Sequence, residues 1–203
     1  MKFLITGFEP FGGSTINPSE QVAKALEGQT IGGAQLITAI LPVNGQYGPR
    51  TLLQIVQDEQ PDGVLCLGEA SGRPVLSIER IAVNLLDYRI PDNAGYQVVD
   101  EPVIPGGPAA YFTTIPVRKI AQELRESGIP AELSLSAGTY LCNQVLYCLL
   151  HFIETNHLAA RAGFIHLPAL PQQAAGRAAP QPSMSLECSL AGIRTAIGVM
   201  SGC

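Results

Sequence analysis

The feature that most narrows the fold of this chain is an alternation between two hydrophobic rhythms. Short apolar runs at 3–5, 36–41, 64–67, 133–136 and 164–167 read as strands, while 18–26, 48–57, 116–126 and 142–154 carry apolar residues three and four apart, as helices do. Strands separated by helices pair in parallel, because each connection crosses back over the sheet. The pattern therefore predicts an α/β fold, a three-layer α/β/α sandwich around a mostly parallel, twisted sheet. A more extended block over 75–86, followed by the turn-rich Pro91-Asp92-Asn93-Ala94-Gly95, predicts strands of another orientation. Residues 168–182, rich in Ala, Gln and Pro, read as a loop before a last helix over 183–200. No repeat and no linker divides the chain, so one domain over 1–203 is expected.

With 203 residues and 46% hydrophobic content, the chain is long enough for one sizeable core. The 14% charged fraction is low, and the run Tyr111-Phe112-Thr113-Thr114-Ile115 leaves apolar surface to spare, which points to self-association. A formal charge of -5 with no cluster of Lys and Arg argues against nucleic acid and anionic membranes as partners. The first apolar run is broken by Gly7 and Pro10 before it reaches the length of a signal or a membrane span, so a cytoplasmic protein is expected. Five cysteines (Cys66, Cys142, Cys148, Cys188, Cys203) without paired C-x-x-C spacing argue against a disulfide framework and a zinc site. Reduced thiols, and no metal or cofactor, are the expectation.

In open α/β sheets the functional crevice lies beyond the carboxyl ends of the strands. The residues expected there are Gly7-Phe8-Glu9-Pro10-Phe11-Gly12-Gly13, Gly68-Glu69-Ala70-Ser71-Gly72-Arg73, 137–143 and His166. Cys142 stands where a Gly-containing turn meets a helix start, whose free N–H groups and dipole favour an anion and lower a thiol pKa. From position alone it is either a nucleophile or a small buried hydrophobe. Cys66 and Cys148 sit inside apolar elements, Cys148 about 240° around the helix from Cys142 at about 100° per residue. Cys188 and Cys203 read as bystanders. His151 lies roughly on the opposite side of the helix from Cys142, and His157 at its exit. Only His166, at a strand end, is placed to converge on Cys142, although a satisfied core histidine is the alternative. A Cys and His pair at strand ends is the general arrangement for nucleophilic acyl transfer. Glu79, within the apolar stretch 76–83, needs a buried partner. That partner is either the imidazole or an arginine, Arg73 or Arg80. Phe8 and Phe11, in a Gly- and Pro-rich loop, can hold a flat ligand between their faces or anchor the loop. Gly12-Gly13 lacks the rest of a phosphate-loop motif, which argues against a nucleotide.

Four separated stretches in order carry a resemblance to a known family: Thr6-Gly7-Phe8-Glu9-Pro10-Phe11-Gly12-Gly13 with Asn17-Pro18-Ser19, Glu79-Arg80 with Asn84 and Arg89-Ile90-Pro91-Asp92-Asn93, Ser136-Ala137-Gly138-Thr139-Tyr140-Leu141-Cys142-Asn143, and His166-Leu167-Pro168. The whole chain resembles the pyrrolidone-carboxylate (type I pyroglutamyl) peptidases. The resemblance implies a phosphorylase/hydrolase-like fold and a cysteine exopeptidase that removes pyroglutamate from peptides bearing it at the N-terminus. It also implies a homotetramer without cofactor. By the same resemblance Cys142 is the nucleophile, His166 the general base and acid, and Glu79 the orienting carboxylate. Phe8 and Phe11 correspond to aromatic walls around the lactam, Asn17 to a hydrogen-bond partner of the ring, and Tyr140, Leu141 and Ile90 to the rest of the pocket. The oxyanion hole falls on the backbone around Arg89 and Cys142. Glu69 departs from the family pattern, which has Gln there. If its side chain reaches the pocket, fine specificity changes, and another small cyclic or glutamine-like amide becomes the alternative substrate. A pyroglutamate-binding relative without turnover is the non-enzymatic alternative.

Overall fold

The computed structural model of the chain describes residues 1–202. Its strands are β1 (Lys2–Phe8), β2 (Thr30–Ile31), β3 (Ala34–Leu41), β4 (Gly63–Glu69), β5 (Leu76–Glu79), β6 (Ile81–Val83), β7 (Ala110–Phe112), β8 (Ala131–Ser134) and β9 (Arg161–Leu167). Its helices are α1 (Pro18–Leu26), α2 (Tyr47–Glu59), α3 (Val117–Glu126), α4 (Leu141–Thr155), α5 (Pro171–Ala175) and α6 (Leu186–Ser201). Seven strands form one sheet in the order β2-β3-β1-β4-β9-β5-β8, and β6 pairs with β7 in a separate antiparallel ribbon.

The strands β3, β1, β4 and β9 run parallel, as the alternating pattern predicts. The block around 75–86 does bring a second orientation, since β5 is antiparallel to β9. One expectation needs correction. β8 pairs in parallel with β5, so it also runs against the main set. The chain leaves β8 heading away from the rim where β1, β4 and β9 end, and residues 135–140 turn it back. Cys142 therefore reaches that rim as the second residue of α4.

Strand side chains alternate between two apolar layers. Phe3, Ile5, Leu65, Leu67, Ile165 and Leu167 meet Val22 of α1, Leu124 of α3 and Ile193 of α6. Leu4, Phe8, Val64, Cys66, Ala162 and Phe164 meet Leu52 of α2, Val145 of α4 and Tyr111 of the ribbon. His166 shares strand parity with Phe164, so it faces the α4 side. The exposed apolar surface expected at 111–115 reduces largely to Phe112, 68% exposed, because Tyr111 and Ile115 are buried. The region read as loop at 168–182 contains the short helix α5. Cys203 lies outside the described residues.

Candidate active site

The carboxyl ends of β1, β4 and β9 open into a cleft of about 460 Å³ lined by Phe8, Phe11, Asn17, Glu69, Arg89, Ile90, Tyr140, Leu141, Cys142 and His166, with further residues of the adjoining loops. Every pocket residue expected from sequence lines it. Glu79 stands one layer behind, fully buried.

Three neighbouring strands carry the reactive line. A Cβ placed on Gly68 would lie 2.9 Å from Cys142 Sγ and 2.7 Å from the Phe164 ring, so the bare glycine on β4 is the seat of the sulfur. Gly68 is in register with His166 on β9, and adjacent strands lie about 4.8 Å apart. On the far side of β9, Glu79 of β5 pairs with Phe164, diagonal to His166 on the same face. From there Glu79 Oε1 accepts from His166 Nδ1 at 2.8 Å and from Arg73 Nη1 at 2.8 Å. Both alternatives for Glu79 are thus realised, with Arg73 rather than Arg80 as the arginine. Arg73 Nη2 also donates to the Ser136 carbonyl at 3.1 Å, tying the returning loop to the same group. An ionised carboxylate only accepts, so Nδ1 carries a proton, and in the neutral imidazole Nε2 is then the atom with the lone pair.

The start of α4 is fastened by its own polar residues. Asn143, fully buried, accepts from Val83 N–H at 2.9 Å and donates to the carbonyls of Val83 and Leu85 at 2.9 and 3.1 Å. Gln144 Nε2 donates to the Gly45 carbonyl at 2.8 Å, and its Oε1 accepts from Tyr88 Oη at 2.5 Å. These bonds hold the 83–90 segment against the first turn. No side chain caps the helix at Tyr140, so the N–H groups of its first turn have no intrahelical acceptor and stay available beside the sulfur.

The expected lowering of the thiol pKa does not occur. Burial, then the Glu79 carboxylate and the Cys66 thiol, push Cys142 up to about 12, against the pull of Arg73 and the Cys142 backbone N–H. Desolvation of an anion outweighs the helix start here. Burial thus favours the neutral thiol.

Phe8, expected in a loop, is the last residue of β1 and 3% exposed, so it is core and cleft floor at once. Phe11 and Tyr140 rings lie 6.3 Å apart, and Tyr140 meets Tyr88 edge-on at 4.6 Å, which gives the cleft a rigid aromatic side. Asn17 caps α1 through Oδ1, which accepts from Ser19 N–H and Oγ, and its Nδ2 donates to the Glu9 carbonyl. One amide proton remains for a ligand. The Glu69 side chain does border the cleft. Its oxygens accept from Ser71 Oγ at 2.5 Å and Gln173 Nε2 at 3.0 Å.

The other candidates fall where sequence reasoning put them. Cys66 is fully buried, and burial pushes it and Cys148 each to about 12. His151 is hydrogen-bonded to Tyr111 Oη at 2.8 Å, away from the cleft. Sequence reasoning missed Gly68, Asn143, Gln144 and Tyr88 as positioning groups, and Arg177 and Gln181 at the cleft. Two buried polar residues directly after the cysteine were the available signal.

A family model described as pyroglutamyl peptidase matches residues 1–202. The chain is 48% identical over 202 residues to the pyrrolidone-carboxylate peptidase of Pyrococcus furiosus, covering 98% of this chain and 97% of that one. It is 50% identical over 192 residues to the Vibrio vulnificus pyrrolidone-carboxylate peptidase, covering 95% and 89%. Its fold superposes on the crystal structure of Bacillus amyloliquefaciens pyroglutamyl peptidase I with a TM-score of 0.95 at 40% identity, over 100% of this chain and 97% of that one. A mutant pyrrolidone carboxyl peptidase from P. furiosus gives a TM-score of 0.96 at 47% identity over 98% of both chains. With likeness of this extent in sequence and in fold, the chain belongs to the pyroglutamyl peptidase family of cysteine-type peptidases.

Proposed function

We propose that this enzyme hydrolyses the amide bond after an N-terminal pyroglutamyl residue, with Cys142 as nucleophile, His166 as base and acid, and Glu79 as the group that orients the imidazole. The observation that carries the roles is the line from the Gly68 seat through His166 to Glu79 across three adjacent strands. Because burial favours the neutral thiol, the step needs a base at the moment of attack. As Sγ attacks the pyroglutamyl carbonyl, His166 Nε2 takes its proton, and the imidazolium is stabilised by the Glu79 carboxylate. Backbone N–H groups at the start of α4 stabilise the oxyanion. His166 then gives the proton to the departing amine, and water, activated by the same imidazole, hydrolyses the thioester to free pyroglutamate and Cys142.

A pyroglutamyl ring has no charged amine, only a lactam N–H and carbonyl. The cleft suits it through Phe8, Phe11, Tyr140, Leu141 and Ile90 as apolar walls and through the spare Asn17 proton. Both oxygens of Glu69 have partners in the protein, so Glu69 makes no demand for a cationic substrate. We further read the enzyme as a single catalytic domain that works in the cytoplasm as a homotetramer, without metal or cofactor, on peptides rather than nucleic acid or membranes. Unpaired cysteines and the exposed Phe112 and Leu135 support this. No helix is long and apolar enough to cross a membrane among the described residues.

The test is release of a fluorescent amine from a pyroglutamyl amide and from the matching prolyl amide. Lactam-selective release by the wild type, lost in Cys142→Ser, is expected. Equal release from both amides, or none from folded, reduced enzyme, overturns the reading.

A further inference from the structure

The reaction needs a wall on both sides of the sulfur, and the assigned residues supply only the pyroglutamyl side. His166 hands its proton to the departing amine, so the peptide beyond the scissile bond lies on the His166 side. The chain that follows His166 borders the cleft through Arg177 and Gln181. This segment is anchored at its start, where Gln173 Nε2 donates to Ser14 Oγ at 3.2 Å, to the Ile16 carbonyl at 3.3 Å and to Glu69 Oε2 at 3.0 Å.

Two features of the segment are unspent. Gln181 Nε2 is buried without a hydrogen-bond partner among the described residues, a cost that an incoming acceptor relieves. Arg177 is exposed at the cleft, and its guanidinium has no hydrogen bond or ion pair among the described residues. Of the neighbouring charges, Arg73 and Glu79 offset each other, and the Glu69 carboxylate, held by the neutral Ser71 and Gln173, is the one anion left to oppose it at the cleft. Arg89, a third cleft arginine, is exposed, and its guanidinium is likewise unpaired among the described residues. A chain of net charge -5 thus presents free guanidinium groups at the mouth of this one cleft. Guanidinium fits carboxylate better than any other common group on a peptide.

We infer that residues 176–182 form the subsite for the residue after pyroglutamate, and that Arg177 binds a carboxylate there, with Gln181 donating to the same part of the peptide. The carboxylate comes from an acidic side chain in that position or from the C-terminus of a dipeptide. The inference rests on the peptidase reading and adds a preference for acidic or very short peptides.

The experiment compares kcat/KM for pyroglutamyl-alanine with its C-terminal amide, and for pyroglutamyl-glutamate amide with pyroglutamyl-glutamine amide, using wild type, Arg177→Gln and Arg177→Lys. The wild type should favour the carboxylate member of at least one pair by about three- to tenfold, through KM, at low salt. Arg177→Gln should remove that preference by lowering kcat/KM for the carboxylate substrates more than for their neutral partners, and Arg177→Lys should keep part of it. Preference in the first pair alone identifies the chain terminus as the source, in the second alone the side chain. No preference in either pair, or one that survives in Arg177→Gln, overturns the inference and leaves the peptidase reading intact. Failure to cleave any of the four substrates instead sinks the peptidase reading.

Discussion

Helix α4 sets a cysteine near a histidine twice, His166 of β9 at its start and its own His151 further along, and only one of the two places is built for chemistry. Near its first turn, Cys142 sits beside His166, whose imidazole is held by a carboxylate at the edge of a cleft. Further along the same helix, Cys148 is followed one turn on by His151, which lies among Tyr111 and Tyr147. There the imidazole is bonded to a phenol, and the Tyr147 ring stacks on it with the planes 8° apart. Burial pushes both thiols to about 12, so acidity does not separate them. The difference lies in the partner on the imidazole and in the open space at the strand ends. A phenol cannot stabilise an imidazolium as a carboxylate does, and neither Cys148 nor His151 lines the cleft at the strand ends.

The contrast is most sharply broken by exchanging the histidines. His166→Ala should lower kcat/KM by about 10³-fold or more. His151→Phe should leave it within about twofold and cost about 1–2 kcal/mol of stability by stranding the Tyr111 hydroxyl. Chemical denaturation and steady-state kinetics on the same preparations check both, and equal kinetic losses would erase the distinction. Next in size, Glu79→Gln should reduce kcat by about 10²- to 10³-fold with the fold retained by circular dichroism, since an amide holds the imidazole without stabilising its charge. Glycine gives a third comparison. Gly68→Ala should cost about tenfold in kcat or more, because its Cβ meets Cys142 Sγ at 2.9 Å. Gly163→Ala meets Ile115 Cδ1 at 2.2 Å on the other face, and should cost about 1–3 kcal/mol of stability with kcat/KM unchanged.

The smallest expected effect concerns alkaline pH. Cys66, Cys142 and Cys148 are each raised from 9.0 to about 12 in the folded chain. Between those values the unfolded chain releases protons that the folded chain keeps, so stability should fall as pH rises past about 9. Cys66→Ala should make that decline shallower, as read by denaturant unfolding across the range. An unchanged slope would contradict the burial of that thiol.

Much of this was legible in the residues. The Pro18 to Leu26 helix was readable to its ends, because Asn17 is a strong cap and Pro18 fits the first turn. Cys142, His166 and Glu79 were readable as candidates from strand ends and from a carboxylate among apolar neighbours. The direction of β8 was not, since an apolar run reads the same in either orientation. The thiol pKa was misread because a helix start is visible in sequence, whereas burial and the Glu79 charge exist only after folding. Gly68 was unreadable as a seat for sulfur, since what faces a glycine depends on the strands and helix around it. Arg177 and Gln181 lie in a Pro- and Ala-rich segment whose composition signals a loop and nothing about where it folds.

The central claim is that one thiol of this chain, seated on Gly68 beside His166, attacks the pyroglutamyl carbonyl. Its most direct measurement is labelling of the reduced enzyme with a chloromethyl ketone built on pyroglutamate, followed by peptide mass spectrometry. The account predicts loss of activity in step with a single label on Cys142, slowed by free pyroglutamate and absent in Cys142→Ser. A label on any other cysteine that tracks the loss of activity, or full activity with Cys142 modified, would contradict it.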